Sequence, residues 1–280
     1  MISEIEVKEI IKQILSDLDS EEKDEEHISE EVWNEDSVEA TMAVPNAKDA
    51  KELLKMKEKT SARIGIWRTG TRYKTQTLLK LRLDHAAAVD AVFKDVSKET
   101  LNEMDLFAVK TICRDKDEHL TRPDFGRRLD TETVNIISQK CKSNPQVQIF
   151  VADGLSSTAI EANIKDILPS IIQGLKGYGI DVGTSFFIKF GRVPVMDVIS
   201  EITQAEVTCL LIGERPGLAT AESMSAYIAY KAEVGMLEAR RTVLSNIHRG
   251  GSSSVEAGAH ISYIIEQMLK QKASGLDLKL

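Results

Sequence analysis

The chain of 280 residues has few of the groups that usually mark chemistry. It carries three cysteines and five histidines. Cys113, Cys141 and Cys209 stand at no metal-ligand spacing, and no histidine pairs with a cysteine or another histidine at such spacing. An odd cysteine count without a signal pattern reads as reduced thiols in a cytoplasm. Cys209 lies inside an apolar run and reads as a small core hydrophobe. No Ser-His-Asp or Cys-His arrangement follows from spacing. Neither GxGxxG nor a P-loop is present, so no nucleotide motif is supported. No apolar run approaches the roughly 20 residues that span a bilayer. Acids come early and no basic-then-apolar pattern opens the chain, which argues against secretion. These absences leave a binding surface without an obvious catalytic group, and point to chemistry supplied by a cofactor or a partner.

What is present is ordinary in bulk and uneven in detail. Hydrophobic content of 42% and charged content of 29% fit a soluble globular protein with one or two domains and one large core. The net charge of −8 is not uniform. Asp17 to Glu39 holds 12 acids and one lysine, a balance of −11, which leaves −8 + 11 = +3 for the rest. This acidic tract reads as a flexible tether. Before it, Val7, Ile10, Ile11, Ile14, Leu15 and Leu18 fall on one stripe of a short amphipathic helix. Such a helix is marginal alone and must dock, either on its own domain or, as the leash favours, in a groove of another protein. The expected organisation is a helix over 1–18, an acidic linker over 19–45, a helical and basic part over 46–145, and an α/β part over 146–280.

The organising stretch is Gln146 to Leu218. Val147–Val151, Ser185–Phe190 and Val207–Ile212 are strand-length apolar runs rich in β-branched or aromatic residues. Each leads within three residues to a glycine beside a charge: Asp153-Gly154, Gly191-Arg192 and Gly213-Glu214. Helical patterns alternate with them, one carried by Ile164, Ile167, Leu168, Ile171, Ile172 and Leu175 with a break expected at Pro169, the next by Val198, Ile199 and Ile202. This predicts an α/β fold with a doubly wound, mostly parallel, Rossmann-like sheet, preceded by a helical region and a flexible tail. Ligands of such sheets bind outside the carboxyl ends of the strands, so the three glycine-marked ends form one candidate rim. Further strands are expected at Leu106–Ile112 and Ala226–Tyr230, and Arg63–Trp67 reads as a strand or an extended entry. Helices are expected at Asp49–Lys59, Gln76–Phe93, Thr131–Cys141 and Val255–Lys272. Leu120–Leu129 reads as a rigid, charged turn.

Several loops admit two readings. From Arg63 to Arg82 there are six basic residues and no acid, which suits an anionic ligand, an acidic partner or plain solvent. With only Trp67 and Tyr73 to stack on bases, nucleic acid is disfavoured. Asp153–Thr158 either presents a helix N-terminus to a ligand or is a glycine turn capped by Ser156 or Ser157. Glu214 and Arg215 either contact a ligand at the rim, or pair locally or cap backbone. His248 reads as a structural hydrogen-bonding group.

RTGTRYKTQTLLKLRLDHAAA, LTRPDFGRRL, DGLSS, FGRV, GERPGL and SNIHRGG occur in an order that resembles the small (light) subunit of ethanolamine ammonia-lyase, from about Lys48 to the C-terminus. The resemblance implies a lyase subunit that is non-catalytic alone. With a large barrel subunit it would convert ethanolamine to acetaldehyde and ammonia through adenosylcobalamin, the corrin lying between the two chains. It implies cofactor contacts at Val193, just after Gly191-Arg192, at Glu214 of GERPG, and at Val243, two residues before Ser245. At Val243 relatives carry a cysteine, and the spacing between the last two motifs is one residue shorter here; a backbone contact survives that change and a thiol contact does not. The resemblance also implies a bacterial microcompartment in the cytoplasm as location, with residues 1–18 as an encapsulation peptide for its shell. DxHxxG is absent, so a bound cobalamin is expected to keep its own base. Two other functions stay open on the residues alone: a self-sufficient α/β enzyme acting on a phosphorylated metabolite, and a microcompartment scaffold or adaptor.

Overall fold

The computed structural model describes residues 44–60 and 62–280. The expected amphipathic helix over 1–18 and nearly all of the acidic linker lie outside these residues. The chain divides into two compact units, one ending at Leu78 and one from Leu79 to Leu280. In the first, α1 (Ala50–Glu58) is capped by Asp49, whose carboxylate accepts from the Glu52 amide at 3.0 Å. Strands β1 (Arg68–Thr69) and β2 (Arg72–Tyr73) form a small antiparallel hairpin. Arg63–Trp67 forms no strand and leads as irregular chain into this hairpin, which begins one residue later and turns on Gly70 at φ +61°.

Helix α2 (Thr75–Phe93) runs across the division and has Ala91 as its buried residue. The second unit continues with α3 (Lys98–Glu103), β3 (Phe107–Lys110), α4 (Lys116–Thr121), α5 (Thr131–Lys140), β4 (Val147–Ala152), α6 (Ser157–Gly177), β5 (Phe186–Lys189), α7 (Val195–Thr203), β6 (Val207–Gly213), β7 (Met224–Tyr230), β8 (Thr242–Ile247) and α8 (Ser254–Gln271). Most of these helices start on a short polar side chain that satisfies a free amide. Ser97, Asp115, Asp130, Ser156 and Ser253 each accept from the amide three residues on.

The sheet has the order β3-β5-β4-β6-β7-β8. The first four strands are parallel, while β7 and β8 are antiparallel. It is a mixed sheet, less parallel than the alternating pattern suggested. The reason lies in chain length. Residues 214–223 link β6 to β7, too short for the dozen or more residues of a crossover, so β7 must return antiparallel. An irregularity follows on the edge strand. Met224 faces Ile247 but Ala226 faces Leu244, so β8 carries an extra residue in a bulge. The sheet takes β3 from before position 145 and β4 to β8 from after it, so the partition expected there falls inside the second unit.

Both faces of the parallel part are covered, which is why β4 and β6 are buried at every position. On one face Val147, Ile149, Val151, Cys209 and Leu211 pack with Ile160, Ile164 and Ile167 of α6 and Ile261, Ile265 and Met268 of α8. On the other, Phe150, Phe186, Ile188, Leu210 and Ile212 pack with Ile137 of α5 and Val195, Met196 and Ile199 of α7. Phe107, Phe186 and Phe150 stack along this second face at 5.2 and 5.4 Å between centroids.

Helix α6 does not break at Pro169. The proline removes a donor to the Lys165 carbonyl, but Pro169 and Lys165 are both exposed, so the freed carbonyl lies on the solvent side of the helix. Helices α3 and α4 were absent from the expectation. Helix α4 runs two residues into the expected charged turn, in which Arg122 pairs with Asp124 through two bonds of 3.1 Å and lies 4.2 Å over the Phe125 ring. Among the described residues no helix is long and apolar enough to cross a membrane.

Candidate functional site

The carboxyl ends of β3, β5, β4 and β6 form one rim, completed by the start of β7 and the end of β8. Val193 follows β5 and packs against the core of the second face. Glu214 follows β6 directly; its amide donates to the Ser223 carbonyl at 3.0 Å and its side chain is half-buried. Val243 lies on β8 opposite Tyr227, which lies opposite Leu210 of the second-face core. Cross-strand partners share a face, so Val243 also belongs to the second face, where it is 46% exposed. The three positions thus come to one side of the sheet.

Two groups that the sequence did not single out lie on the same side. Tyr227 is half-buried, and its phenol is pushed above its ordinary value by burial first, then by the charges of Glu214 and Glu238. Ser225 pairs with Ile212, and its buried hydroxyl has no hydrogen-bond partner. This face therefore offers apolar contact from Val193 and Val243, a phenol and a carboxylate, while the Ser225 hydroxyl is wholly buried. Such a set suits a large ligand with an apolar body and neutral amide arms. Neither Glu214 nor Arg215 forms an ion pair among the described residues, so the local-pairing reading of these two is not what the structure adopts. Beyond the rim, on the same face, a groove of about 540 Å³ is lined by residues including Arg127, Arg128, Pro194, Asp197, Met236 and Arg241. At its floor Arg241 donates to both oxygens of Asp197 at 2.8 and 2.7 Å, with both side chains almost wholly buried.

The loop after β4 is structural. Ser156 Oγ accepts from the Ala159 amide at 3.1 Å and donates to the Ala221 carbonyl at 2.6 Å, so the start of α6 is already capped. Gly154, at φ +55°, lies against Gly213: a Cβ on Gly154 would stand 2.3 Å from the Gly213 carbonyl oxygen. His248 is structural too. Its Nε2 bonds Asn246 Oδ1 at 2.8 Å and its Nδ1 accepts from the Gly250 amide at 3.0 Å. In the basic hairpin Arg68 lies 4.5 Å over the Tyr73 ring and Lys74 lies 5.5 Å from the Trp67 ring, so part of its charge is engaged with aromatics. Among the described residues no group of three or more His, Cys, Asp or Glu side chains could hold a metal ion.

Beneath the rim is a buried polar cluster. Asp153 is 1% exposed; burial pushes its carboxyl up to about 6 against the pull of Lys116. His119 is fully buried, and burial with the charges of Arg192 and Lys116 lowers it to about 4. Its Nε2 faces the Gly154 carbonyl at 2.9 Å, which places the proton on Nε2. The two groups act in opposite senses with pH. A histidine whose folded value is depressed contributes stability that is full above about 6.5 and is lost as pH falls towards 4, up to about 3 kcal/mol. A carboxyl whose folded value is raised contributes stability present below about 3.8 and lost as pH rises through about 6. The stability difference between the native chain and His119→Gln, measured by urea unfolding, should therefore grow from pH 4 to 6.5 and then level off. A difference independent of pH would refute the neutral buried histidine.

A sequence model of the ethanolamine ammonia-lyase light chain (EutC) family matches residues 50–279. The ethanolamine ammonia-lyase small subunit of Fusobacterium nucleatum is 54% identical over 295 aligned residues, covering all of both chains. That of Clostridium tetani is 54% identical over 296, again covering both in full. That of Clostridioides difficile is 60% identical over 238 residues, 85% of this chain and 81% of that one. With a family match over most of its length and relatives this close from end to end, the chain belongs to the ethanolamine ammonia-lyase small (light) subunit family.

Proposed function

We propose that this lyase subunit completes an adenosylcobalamin site together with a large subunit, in an enzyme that converts ethanolamine to acetaldehyde and ammonia. The observation that carries this reading is the convergence of Val193, Glu214 and Val243 on one partly open sheet face, beside Tyr227. The parallel part of the sheet, with helices on both faces, is the Rossmann-like half of the arrangement, and its carboxyl rim is where such sheets take ligands. When bound, adenosylcobalamin supplies the radical chemistry. The residues of this chain bind and orient: Val193 and Val243 give the corrin apolar contact, Glu214 accepts from an amide arm, and the sheet closes one side of the site against water. Val243 has no thiol to offer, so its contact is made by backbone or by its methyl groups.

The test is equilibrium binding of cobalamin to the assembled pair of subunits. Glu214→Ala should weaken it at least about tenfold, the loss of one hydrogen bond to a charged group. Unchanged affinity would remove Glu214 from the site. The chain alone should show no lyase activity, and turnover without a large subunit would refute the division of labour. We further propose that residues 1–18 dock on a microcompartment shell. Removing residues 1–20 should abolish encapsulation and leave turnover of the complex intact; retained encapsulation would sink that role.

A further inference from the structure

We propose that Asp153, set against Lys116, is a positioning residue for the turn Phe190–Val193, and through it for the corrin contact at Val193. This rests on the corrin lying against Val193, as proposed above. Phe190 has φ +62°, a left-handed conformation that is costly for a bulky side chain and persists only where its surroundings impose it. Those surroundings are specific. Asp153 Oδ1 accepts from the Gly191 amide at 3.3 Å. The Thr111 hydroxyl donates to the Phe190 carbonyl at 3.1 Å. The Arg192 amide donates to the Gly126 carbonyl at 2.8 Å, and Arg192 Nη2 to the His119 carbonyl at 2.8 Å. Gly126 lies so close that a Cβ there would stand 2.6 Å from Arg192 Cγ and 2.9 Å from the Phe190 carbonyl oxygen.

The pair beneath the turn is poorly explained by stability alone. Asp153 Oδ2 and Lys116 Nζ are both buried and neither has a hydrogen-bond partner, although they stand 3.7 Å apart. Lys116 Nζ also lies 5.4 Å over the Phe190 ring. Apolar residues of the same volume would fill such a place at lower cost than an imperfect buried ion pair. A buried pair with unspent polar atoms, placed under a strained turn, is the pattern of a site in which local stability is given up for geometry. Asp153 holds the amide of Gly191, and Lys116 is one of three groups against the Phe190 ring, with Lys189 Nζ at 4.9 Å and the His119 ring stacked at 5.6 Å, so the pair braces both residues at the head of the turn that ends in Val193.

The experiment uses the complex with the large subunit and cyanocobalamin, an unreactive corrinoid, followed by its absorbance on binding. Asp153→Asn and Lys116→Gln are each expected to raise the Kd about tenfold, and the double variant no further than the worse single one, because coupled residues are not additive. In turnover, the KM for adenosylcobalamin should rise by a similar factor while kcat at saturation stays within about twofold. If Asp153→Asn does not assemble, Lys116→Gln alone decides. A lowered Tm with unchanged Kd would make the pair merely structural and overturn the proposal. Glu214→Ala measured alongside separates the two readings: Kd raised by Glu214→Ala but not by the pair sinks this inference alone, whereas Kd unmoved by all three sinks the corrin site and this inference with it.

Discussion

Gly213→Ala is expected to be among the most destabilising single changes in the chain, lowering Tm by on the order of 10 °C. A Cβ at Gly213 would stand 2.0 Å from the Ser156 carbonyl oxygen and 2.5 Å from that of Asp153. Both obstacles are backbone, so no rotamer change relieves them. The loop after β4 would have to lift off the end of β6, breaking the bond from the Leu155 amide to the Gly213 carbonyl at 3.1 Å. The cost is at least about 3 kcal/mol, at the upper end of what overpacking produces. Gly154→Ala should be comparable, since its Cβ would strike the Gly213 carbonyl and its φ of +55° adds about 1–2 kcal/mol for any L side chain. Thermal unfolding of the isolated chain measures both. A Tm loss below a few degrees for Gly213→Ala would show that the two loops are not held together as the structure has them.

The second large effect is at the floor of the groove. Arg241→Met should destabilise by about 3–5 kcal/mol, the range for removing one partner of a buried ion pair. The guanidinium is the hydrogen-bond donor to both Asp197 oxygens, and burial already holds that carboxyl above its ordinary value despite the arginine. Without Arg241 the carboxylate has Glu238 and Glu201 as its charged neighbours, both repulsive. The combined change Arg241→Met, Asp197→Leu should recover most of the loss, because no buried charge is then left alone. Denaturant midpoints of the two variants decide the matter: a double variant as unstable as the single one would mean that packing, not charge, is what Arg241 provides.

Much of the sheet was legible in the sequence, for a physical reason. Strands β4, β5 and β6 are covered on both faces, so they appear as nearly continuous apolar runs, with Gln148, Lys189 and Thr208 as the exceptions. The direction of β7 was encoded only in the length of the segment before it. Helix α4 was missed because KDEHLT has no apolar periodicity; its one sign was Asp115 followed three residues later by Glu118, the capping pattern that the structure displays at 2.8 Å. Pro169 misled because the carbonyl it frees, that of Lys165, lies on the exposed side of the helix, where water can satisfy it. The rim itself was visible as three glycine-marked strand ends, but the purpose of two of those glycines was not. Gly154 and Gly213 are far apart in sequence, and nothing local reveals that their backbones touch. Likewise the side on which Val243 stands depends on its register with Tyr227, and the burial of Asp153 depends on a short helix that the pattern did not show.

The bulge on β8 bears on how this edge tolerates change in length. A strand that already accommodates one surplus residue can gain or lose one there without turning over the residues ahead of it. Val243 precedes the irregularity and is tied to Tyr227, and the surplus residue lies at Ser245–Asn246, so a change of one residue there leaves Val243 on the same face. The bulge thus separates the register of the residues that face Tyr227 and Ala226 from that of the strand end at Ile247, and a slip at one need not become a slip at the other.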